Sequence, residues 1–236
     1  MVRIITALDL ASEEEAHRLI EKLDPALTRL KVGKQLFTSA GPAIVRYCQD
    51  AGFDVFLDLK FHDIPTTVAK ALEAAAAMGV WMVNVHASGG PNMLAAARRA
   101  VDAAEWQTQL IGVTALTSLD ASQLAAIGLH EEPEDTVRRL TTLCVDAGLD
   151  GVVCSPHEVP LIRELAPRGF LCVTPGVRIE DGVVTSHGGG ADDQRRIMGP
   201  AAAIAAGADH LVIGRPITQA QDPLAALRAI VDSLPA

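Results

Sequence analysis

The sequence lacks the concentrated positive charge that nucleic acids and anionic membranes bind. Its 20 lysines and arginines are spread along 236 residues, and its formal net charge at pH 7 is −9. Neither nucleic acid nor a membrane is therefore expected as the main partner. A phosphorylated ligand would have to meet a local positive site.

The sequence pattern predicts neither a membrane span nor a leader segment. The most apolar stretch, Ala71 to Ala87, is interrupted by Glu73, Gly79 and Asn84, whereas a spanning helix needs about 20 consecutive apolar residues. The opening residues MVRIITALDL contain no basic region followed by a long apolar run and a cleavage site. We expect the chain to begin in a strand.

Cysteine pairs of the C-x-x-C type are absent. The cysteines lie inside apolar segments, where a free thiol behaves as a small hydrophobic group. They are Cys48, Cys144, Cys154 and Cys172. This usage predicts a reducing compartment, the cytoplasm.

The sequence does contain eight short runs rich in Val, Ile and Leu, each followed by a longer segment with helical spacing. This pattern indicates βα units and a parallel sheet. The predicted strands are Arg3–Leu8, Thr28–Val32, Val55–Leu59, Trp81–His86, Gln109–Thr114, Gly151–Cys154, Phe170–Thr174 and His210–Ile213. The predicted helices are Ser12–Leu23, Gly41–Ala51, Thr66–Met78, Asn92–Ala104, Glu134–Ala147, Pro156–Leu165, Pro200–Ala206 and Pro223–Leu234. With no visible linker, we predict one α/β domain over residues 1–236, a single (β/α)8 TIM barrel.

Two details of the pattern bear on this choice. Gly52, Gly79, Gly148 and Gly207 each follow a predicted helix and precede the next strand, as a glycine at the C′ position does. The first strand-to-helix turn lacks the G-x-G-x-x-G of dinucleotide-binding folds, which disfavours the alternative of an open, doubly wound sheet.

Charged residues at the C-terminal ends of the predicted strands are candidates for chemistry, because barrel enzymes place reactive groups there. Asp58 and Lys60 alternate along VFLDLKFHD and should both point into the barrel, with the neighbouring leucine and phenylalanine residues outside. Burying one charge alone is costly, so we expect an alternating network with Lys31 and Asp63. An ion-pair network that only closes the barrel mouth is the alternative.

His62 and His86 raise the possibility of a metal site, since histidines at strand ends can ligate a divalent ion. No H-x-H or H-E-x-x-H spacing supports one. The simpler interpretation makes His86 a hydrogen-bonded barrel residue and turns His62 outward.

Gly176 and the Gly214-Arg215 pair follow the last two strands, where many barrels hold phosphate on backbone N–H groups and an arginine. An arginine is disfavoured at the start of a helix unless an anion is present, so Arg215 predicts an anion. Glycines serving only as turn residues are the alternative. The polar segment from Arg178 to Asp193 is predicted to be a functional loop rather than a tolerated insertion.

The segment D-x-K-x-x-D-I-P-x-T at Asp58–Thr67 resembles the signature of the orotidine 5′-monophosphate decarboxylase family. Other segments are similar to its bacterial branch, in order over nearly the whole chain. They are A-L-D at Ala7–Asp9, L-K-V-G at Leu30–Gly33, N-V-H-A-S-G-G at Asn84–Gly90, L-T-S at Leu116–Ser118, V-T-P-G-V-R at Val173–Arg178, D-Q-R-R at Asp193–Arg196 and V-I-G-R-P-I-T at Val212–Thr218. The loop before Gln194 departs from the family in being longer and richer in glycine.

The resemblance implies conversion of orotidine 5′-monophosphate to uridine 5′-monophosphate in pyrimidine biosynthesis, without metal or organic cofactor. It implies that Lys60 donates the proton to C6 and that Asp58 faces the substrate carboxylate, with Lys31 and Asp63 completing the catalytic set. The substrate contacts it implies are Asp9 and Lys31 at the ribose; Asp63, Ile64 and Thr67 from the second subunit of a homodimer with shared sites; Thr117, Ser118 and Pro175 at the pyrimidine; and Arg178, Gln194, Gly214 and Arg215 around the phosphate.

The residues alone leave three other functions open. A phosphosugar aldolase or epimerase would use Asp58 and His86 around magnesium or zinc, and chelator sensitivity would reveal it. An enzyme forming a Schiff base at Lys60 would be trapped by borohydride. A binding module for phosphorylated ligands would show affinity without turnover.

Overall fold

The computed structural model describes residues 2–105, 107–117, 119–176 and 198–235. Eight parallel strands pair in chain order, and the last pairs with the first, so the sheet closes into a barrel. The strands are β1 Ile4–Ala7, β2 Thr28–Gly33, β3 Val55–Phe61, β4 Met82–His86, β5 Gln109–Val113, β6 Gly151–Val153, β7 Leu171–Thr174 and β8 His210–Ile213. The predicted barrel is confirmed, and the alternative of an open sheet is wrong.

Helices surround the barrel. Those of the described residues are α1 Glu13–Ile20, α2 Lys34–Ala40, α3 Ala43–Asp50, α4 Pro65–Ala77, α5 Gly90–Asp102, α6 Ala121–Ala126, α7 Pro133–Asp146, α8 Val159–Leu165, α9 Pro200–Ala205, α10 Arg215–Thr218 and α11 Pro223–Asp232, with 3-10 turns at Ala87–Gly89 and Pro156–Glu158. Helices α2, α6 and α10 were not predicted. They have seven, six and four residues, and each lies in the connection after a strand, ahead of a longer helix that was predicted.

The predicted helix ends are confirmed at four glycines. Gly52, Gly79, Gly148 and Gly207 have positive φ and follow α3, α4, α7 and α9 directly after the capping residue. Each lets the chain turn back toward the next strand at the N-terminal end of the barrel.

The apolar core has two layers. The larger lies between the outer face of the sheet and the helices. The smaller fills the barrel interior with Ile5, Phe56, Met82, Ile111 and Val173. Successive side chains of a strand alternate between these layers, so the interior side chain that follows Phe56 on β3 is Asp58. The barrel therefore has an apolar interior and a charged C-terminal mouth.

Two predictions from composition can be compared with this fold. The four cysteines are buried and form no disulfide, and burial raises the pKa of the Cys48 thiol to about 12. In the part of the chain that the structure describes, every helix is too short or too polar to cross a membrane.

Candidate active site

Three neighbouring strands bring four charged side chains together at the C-terminal mouth of the barrel. Asp9 follows β1, Lys31 lies in β2, and Asp58 and Lys60 lie in β3. Register pairs Lys31 with Ala7 and with Phe56, so Lys31 stands between the strands that carry Asp9 and Asp58. Parallel pairing of β1, β2 and β3 therefore brings together four charged residues that are up to 51 positions apart in the sequence.

The four side chains alternate in charge. Lys31 Nζ lies 2.9 Å from Asp9 Oδ1 and 3.3 Å from Asp58 Oδ2. Lys60 Nζ lies 2.5 Å from the other oxygen of Asp58, Oδ1. Each interior charge thus has a counter-charge on both sides, which is the arrangement that makes a buried ion pair tolerable.

Burial and charge act in opposite directions on the two inner members. Burial alone raises the pKa of Asp58, but the ammonium groups of Lys31 and Lys60 outweigh it and lower that pKa below its ordinary value. Burial alone lowers the pKa of Lys31, but Asp58 and Asp9 outweigh it and raise that pKa. Asp58 is therefore ionised and Lys31 protonated at neutral pH.

Two glycines lie beside this cluster, and the close approach requires a glycine at one of them, Gly33. A Cβ on Gly33 would stand 3.2 Å from both Asp9 Oδ1 and Lys31 Nζ, tighter than ordinary contact. A Cβ on Gly214 would lie 3.9 Å from Asp9 Oδ2. The proposed phosphate position at Gly214 is therefore adjacent to the Asp9 end of the cluster.

The backbone of Lys60 departs from a regular strand. Its φ is 52°, the one positive value outside glycine in the described residues. Leu57 of β3 pairs with Val83 of β4, and Phe61 pairs with Val85. Four steps along β3 therefore match two steps along β4, and a bulge lies between Leu57 and Phe61. A left-handed residue with a side chain costs on the order of 1–2 kcal/mol, and bulges re-aim side chains beside active sites.

Asn84 of β4 meets this bulge and was not predicted as a site residue. It is fully buried; its Oδ1 accepts a hydrogen bond from Lys60 N at 2.8 Å, and its Nδ2 donates to Asp58 Oδ1 at 2.7 Å. The sequence did contain a signal for it. Asn84 is a polar residue two positions after Met82 and therefore lies on the interior face of β4, just as Asp58 lies two positions after Phe56 on β3.

Two expectations about β3 need correction. Phe56 points into the barrel rather than outward, because it has the same strand parity as Asp58. Asp63 does not join the charge network within this chain: its Oδ1 accepts from the following amide, Ile64 N, at 2.6 Å, and among described residues it has no ion pair. The fourth member of the network is Asp9.

The segment after β3 is exposed. Asp63, Ile64 and Thr67 are all open to solvent at the start of α4, and Ile64 is 63% exposed. Pro65 is the first residue of that helix, where its missing N–H costs nothing. An exposed isoleucine at the mouth of a barrel is available to a partner surface.

His62 and His86 lie at the same mouth, with ring centroids 5.5 Å apart. Burial, His62, Lys34 and Lys60 lower the pKa of His86 to about 4, so it is neutral at neutral pH. The described residues contain no group of three or more histidine, cysteine or carboxylate side chains arranged to hold a metal ion.

The other predicted substrate residues lie at the ends of later strands. Thr117 and Pro175 are half-buried beyond β5 and β7, and Arg215 is exposed as the first residue of α10. Gly176 has φ 79°, and its carbonyl accepts from Met198 N at 3.3 Å. Ser118, Arg178 and Gln194 lie outside the described residues.

Comparison with known proteins shows which family the chain belongs to. A family model described as "Orotidine 5′-phosphate decarboxylase / HUMPS family" matches residues 2–230. The chain belongs to this family. The match confirms the resemblance drawn from Asp58–Thr67 and the other segments.

Relatives within the family are similar over nearly their full length. An orotidine 5′-phosphate decarboxylase of Chromobacterium violaceum is 55% identical over 227 residues, 96% of this chain and 89% of that protein. One of Halorhodospira halophila is 55% identical over 234 residues, 99% of this chain and 96% of that protein. The crystal structure of the orotidine 5′-phosphate decarboxylase from Lactobacillus acidophilus has a TM-score of 0.86 at 35% identity, with both chains covered completely.

Proposed function

We propose that this protein is a carboxy-lyase that converts orotidine 5′-monophosphate to uridine 5′-monophosphate in pyrimidine biosynthesis, without a cofactor. The observation that carries the proposal is the alternating chain Asp9, Lys31, Asp58 and Lys60, which holds an ammonium against a carboxylate at the mouth of the barrel. Family membership and the names of its relatives agree with this reaction.

The chemistry requires a fixed cation beside C6. When the bond from C6 to the carboxylate breaks, carbon dioxide leaves and the electron pair stays on C6, where no adjacent π system can delocalise it. The Lys60 ammonium stabilises this charge and then donates its proton to C6, giving the product. Because Asp58 already holds Nζ, the cation needs no reorganisation as charge develops.

The interaction energy of the Lys60 ammonium with the charge on C6 is too small to account for catalysis alone, so other contacts contribute. One charge pair at ~4 Å and an effective dielectric of about 20 is worth on the order of 4 kcal/mol. Repulsion between Asp58 and the substrate carboxylate adds ground-state destabilisation. Binding of the phosphate, away from C6, supplies energy for alignment.

The assignments to substrate parts are those that the family resemblance implies. Asp9 and Lys31 would hold the ribose hydroxyls, while Thr117, Ser118 and Pro175 would meet the pyrimidine. Gly214 and Arg215, together with Arg178 and Gln194, would surround the phosphate. The position of Gly214 beside Asp9 supports a phosphate on the ribose side of the cluster.

We also propose a homodimer in which Asp63, Ile64 and Thr67 reach the partner's site. The exposure of all three, and the absence of Asp63 from its own chain's network in the described residues, support this exchange. The unpaired, buried thiols support a reducing compartment, the cytoplasm.

The test is a spectrophotometric assay with orotidine 5′-monophosphate in the presence of a chelator. Loss of substrate absorbance with release of one carbon dioxide per uridine 5′-monophosphate is the expected result. Tight binding of the nucleotide without turnover would instead support a binding module. Trapping of a carbonyl substrate by borohydride at Lys60 would support a Schiff-base enzyme.

A further inference from the structure

We propose that Asn84 is a positioning residue for the decarboxylation, holding the Lys60 backbone and the Asp58 carboxylate in one fixed relation. This inference rests on the proposed function. No segment of the resemblance assigns a role to Asn84, and its side chain carries no charge.

The first observation is geometric. One side-chain amide uses both of its ends on the two reactive residues: Oδ1 accepts from Lys60 N at 2.8 Å, and Nδ2 donates to Asp58 Oδ1 at 2.7 Å. Asp58 Oδ1 is the same oxygen that holds Lys60 Nζ. Asn84 therefore closes a ring of hydrogen bonds. The side chain of Lys60 binds Asp58 Oδ1 directly, and the backbone N–H of Lys60 is linked to the same oxygen through the Asn84 amide.

The second observation is the strained backbone. Lys60 takes φ 52° within the bulge, where its N–H has left the regular strand pairing. Such conformations persist only where surrounding contacts enforce them. Asn84 Oδ1 satisfies the displaced N–H, and because Asn84 is fully buried, water cannot replace it.

The third observation concerns chemistry rather than stability. An amide, unlike a carboxylate, donates to Asp58 and thereby favours its ionised form. The hydrogen bond from Asn84 is one of the contacts that lower the pKa of Asp58. Asp58 contacts Lys31 and Lys60 directly, Asp9 lies on the far side of Lys31, and Asp58 also acts on the pKa of His86, as do His62, Lys34 and Lys60.

Asn84→Leu keeps the approximate volume and removes both hydrogen bonds. We expect kcat to fall by about 100-fold, as for a catalytic group misplaced by roughly 1 Å. KM for orotidine 5′-monophosphate should stay within about threefold, because the phosphate contacts assigned to Gly214 and Arg215 do not involve Asn84. The acid limb of the kcat profile should move to higher pH, because Asp58 loses a donor.

Asn84→Asp is the second variant and guards against a folding failure of the first. The new carboxylate still accepts from Lys60 N but cannot donate to Asp58 when ionised, and it adds a like charge. We expect kcat to fall with a larger displacement of the acid limb than in Asn84→Leu.

Thr28→Val is the matched control. Thr28 is 1% exposed in β2, and its hydroxyl lies 2.9 Å from Thr6 Oγ1 at the other end of the barrel. The Thr28→Val protein should have a lower free energy of unfolding, while the acid limb of its kcat profile stays at the wild-type pH. Asn84 variants that lose activity only in proportion to their folded fraction, or that keep wild-type kcat and acid limb, would overturn the inference. Absence of turnover in the wild-type protein would contradict the proposed function instead.

Discussion

Lys31 and Asp58 form an ion pair in which both side chains are nearly withdrawn from water, with 9% and 10% of their side-chain surface exposed. Each has a second, opposite charge on its far side, Asp9 and Lys60 respectively. A buried pair without such support is frequently no more stable than an apolar replacement. Retaining four charges at the barrel mouth is therefore better explained by chemistry than by folding.

Lys60→Ala should remove nearly all turnover while leaving affinity for uridine 5′-monophosphate within a few-fold of wild type. The ammonium acts as charge develops on C6, whereas phosphate and ribose contacts are made elsewhere. Steady-state kinetics and calorimetric titration with the product would check this. If the variant kept a tenth of wild-type kcat, Lys60 could not be the proton donor.

Turnover should be unaffected by prolonged chelation and dialysis. Every role in the proposed mechanism is filled by a side chain or a backbone group, with Lys60 supplying the cation that a metal would otherwise provide. Activity should be measured before and after treatment, with a divalent metal added back to one sample. Loss on chelation with recovery on metal addition would favour the aldolase or epimerase alternative around Asp58 and His86.

The strands were predictable because a buried parallel strand is a continuous apolar run. All eight lie within two residues of their predicted ends. The alternation of side chains along β3 also predicted that Asp58 and Lys60 point to the same side of the strand. It could not predict the geometry of their contact, because the positive φ of Lys60 and its hydrogen bond to Asn84 depend on the pairing of β3 with β4. The misplaced Phe56 is a different case, because alternation itself puts Phe56 on the interior face, two residues before Asp58.

Arg215→Ala should weaken substrates that carry the 5′-phosphate by about 10-fold or more and scarcely affect the phosphate-free nucleoside. A charge-assisted hydrogen bond to an anion contributes only where the anion is present. The comparison is kcat/KM for the nucleotide against the nucleoside. Arg228→Ala, an exposed arginine on the outer helix α11, is the matched control. Equal losses for both substrates would mean that Arg215 is structural.

His210 should make the free energy of unfolding decrease in mild acid. It is 3% exposed and packs edge-on against Trp81, and burial and Arg29 lower its pKa from 6.5 to about 4. The folded state therefore binds a proton less readily than the unfolded state. Stability from this group is complete above pH 6.5 and is lost as the pH falls to about 4, a change on the order of 3 kcal/mol.

Urea denaturation at pH 7.5 and pH 4.5 measures this contribution. His210→Gln should show a smaller loss of stability between the two pH values than the wild-type protein, because the replacement does not titrate. His130→Gln, at an exposed position, should behave as wild type. An unchanged loss in His210→Gln would assign the acid sensitivity to other groups, including His86.

The last prediction concerns the shared active site. Lys60 and Asp63 are three positions apart, yet Lys60 is bound into the network of its own chain while Asp63 lies exposed beyond it. A twofold interface would exchange the Asp63–Thr67 segments reciprocally. Each site would then take Lys60 from one chain and Asp63 from the other.

Complementation between inactive variants tests this arrangement. In a heterodimer of Lys60→Ala with Asp63→Ala, one site carries both substitutions and the other carries neither. Random association of equal amounts makes about half of the dimers mixed, so about a quarter of wild-type activity should appear from two nearly inactive parents. Subunit exchange must be verified independently, for example by mass spectrometry of differently tagged chains. Exchange without recovery of activity would place Lys60 and Asp63 in the same chain's site.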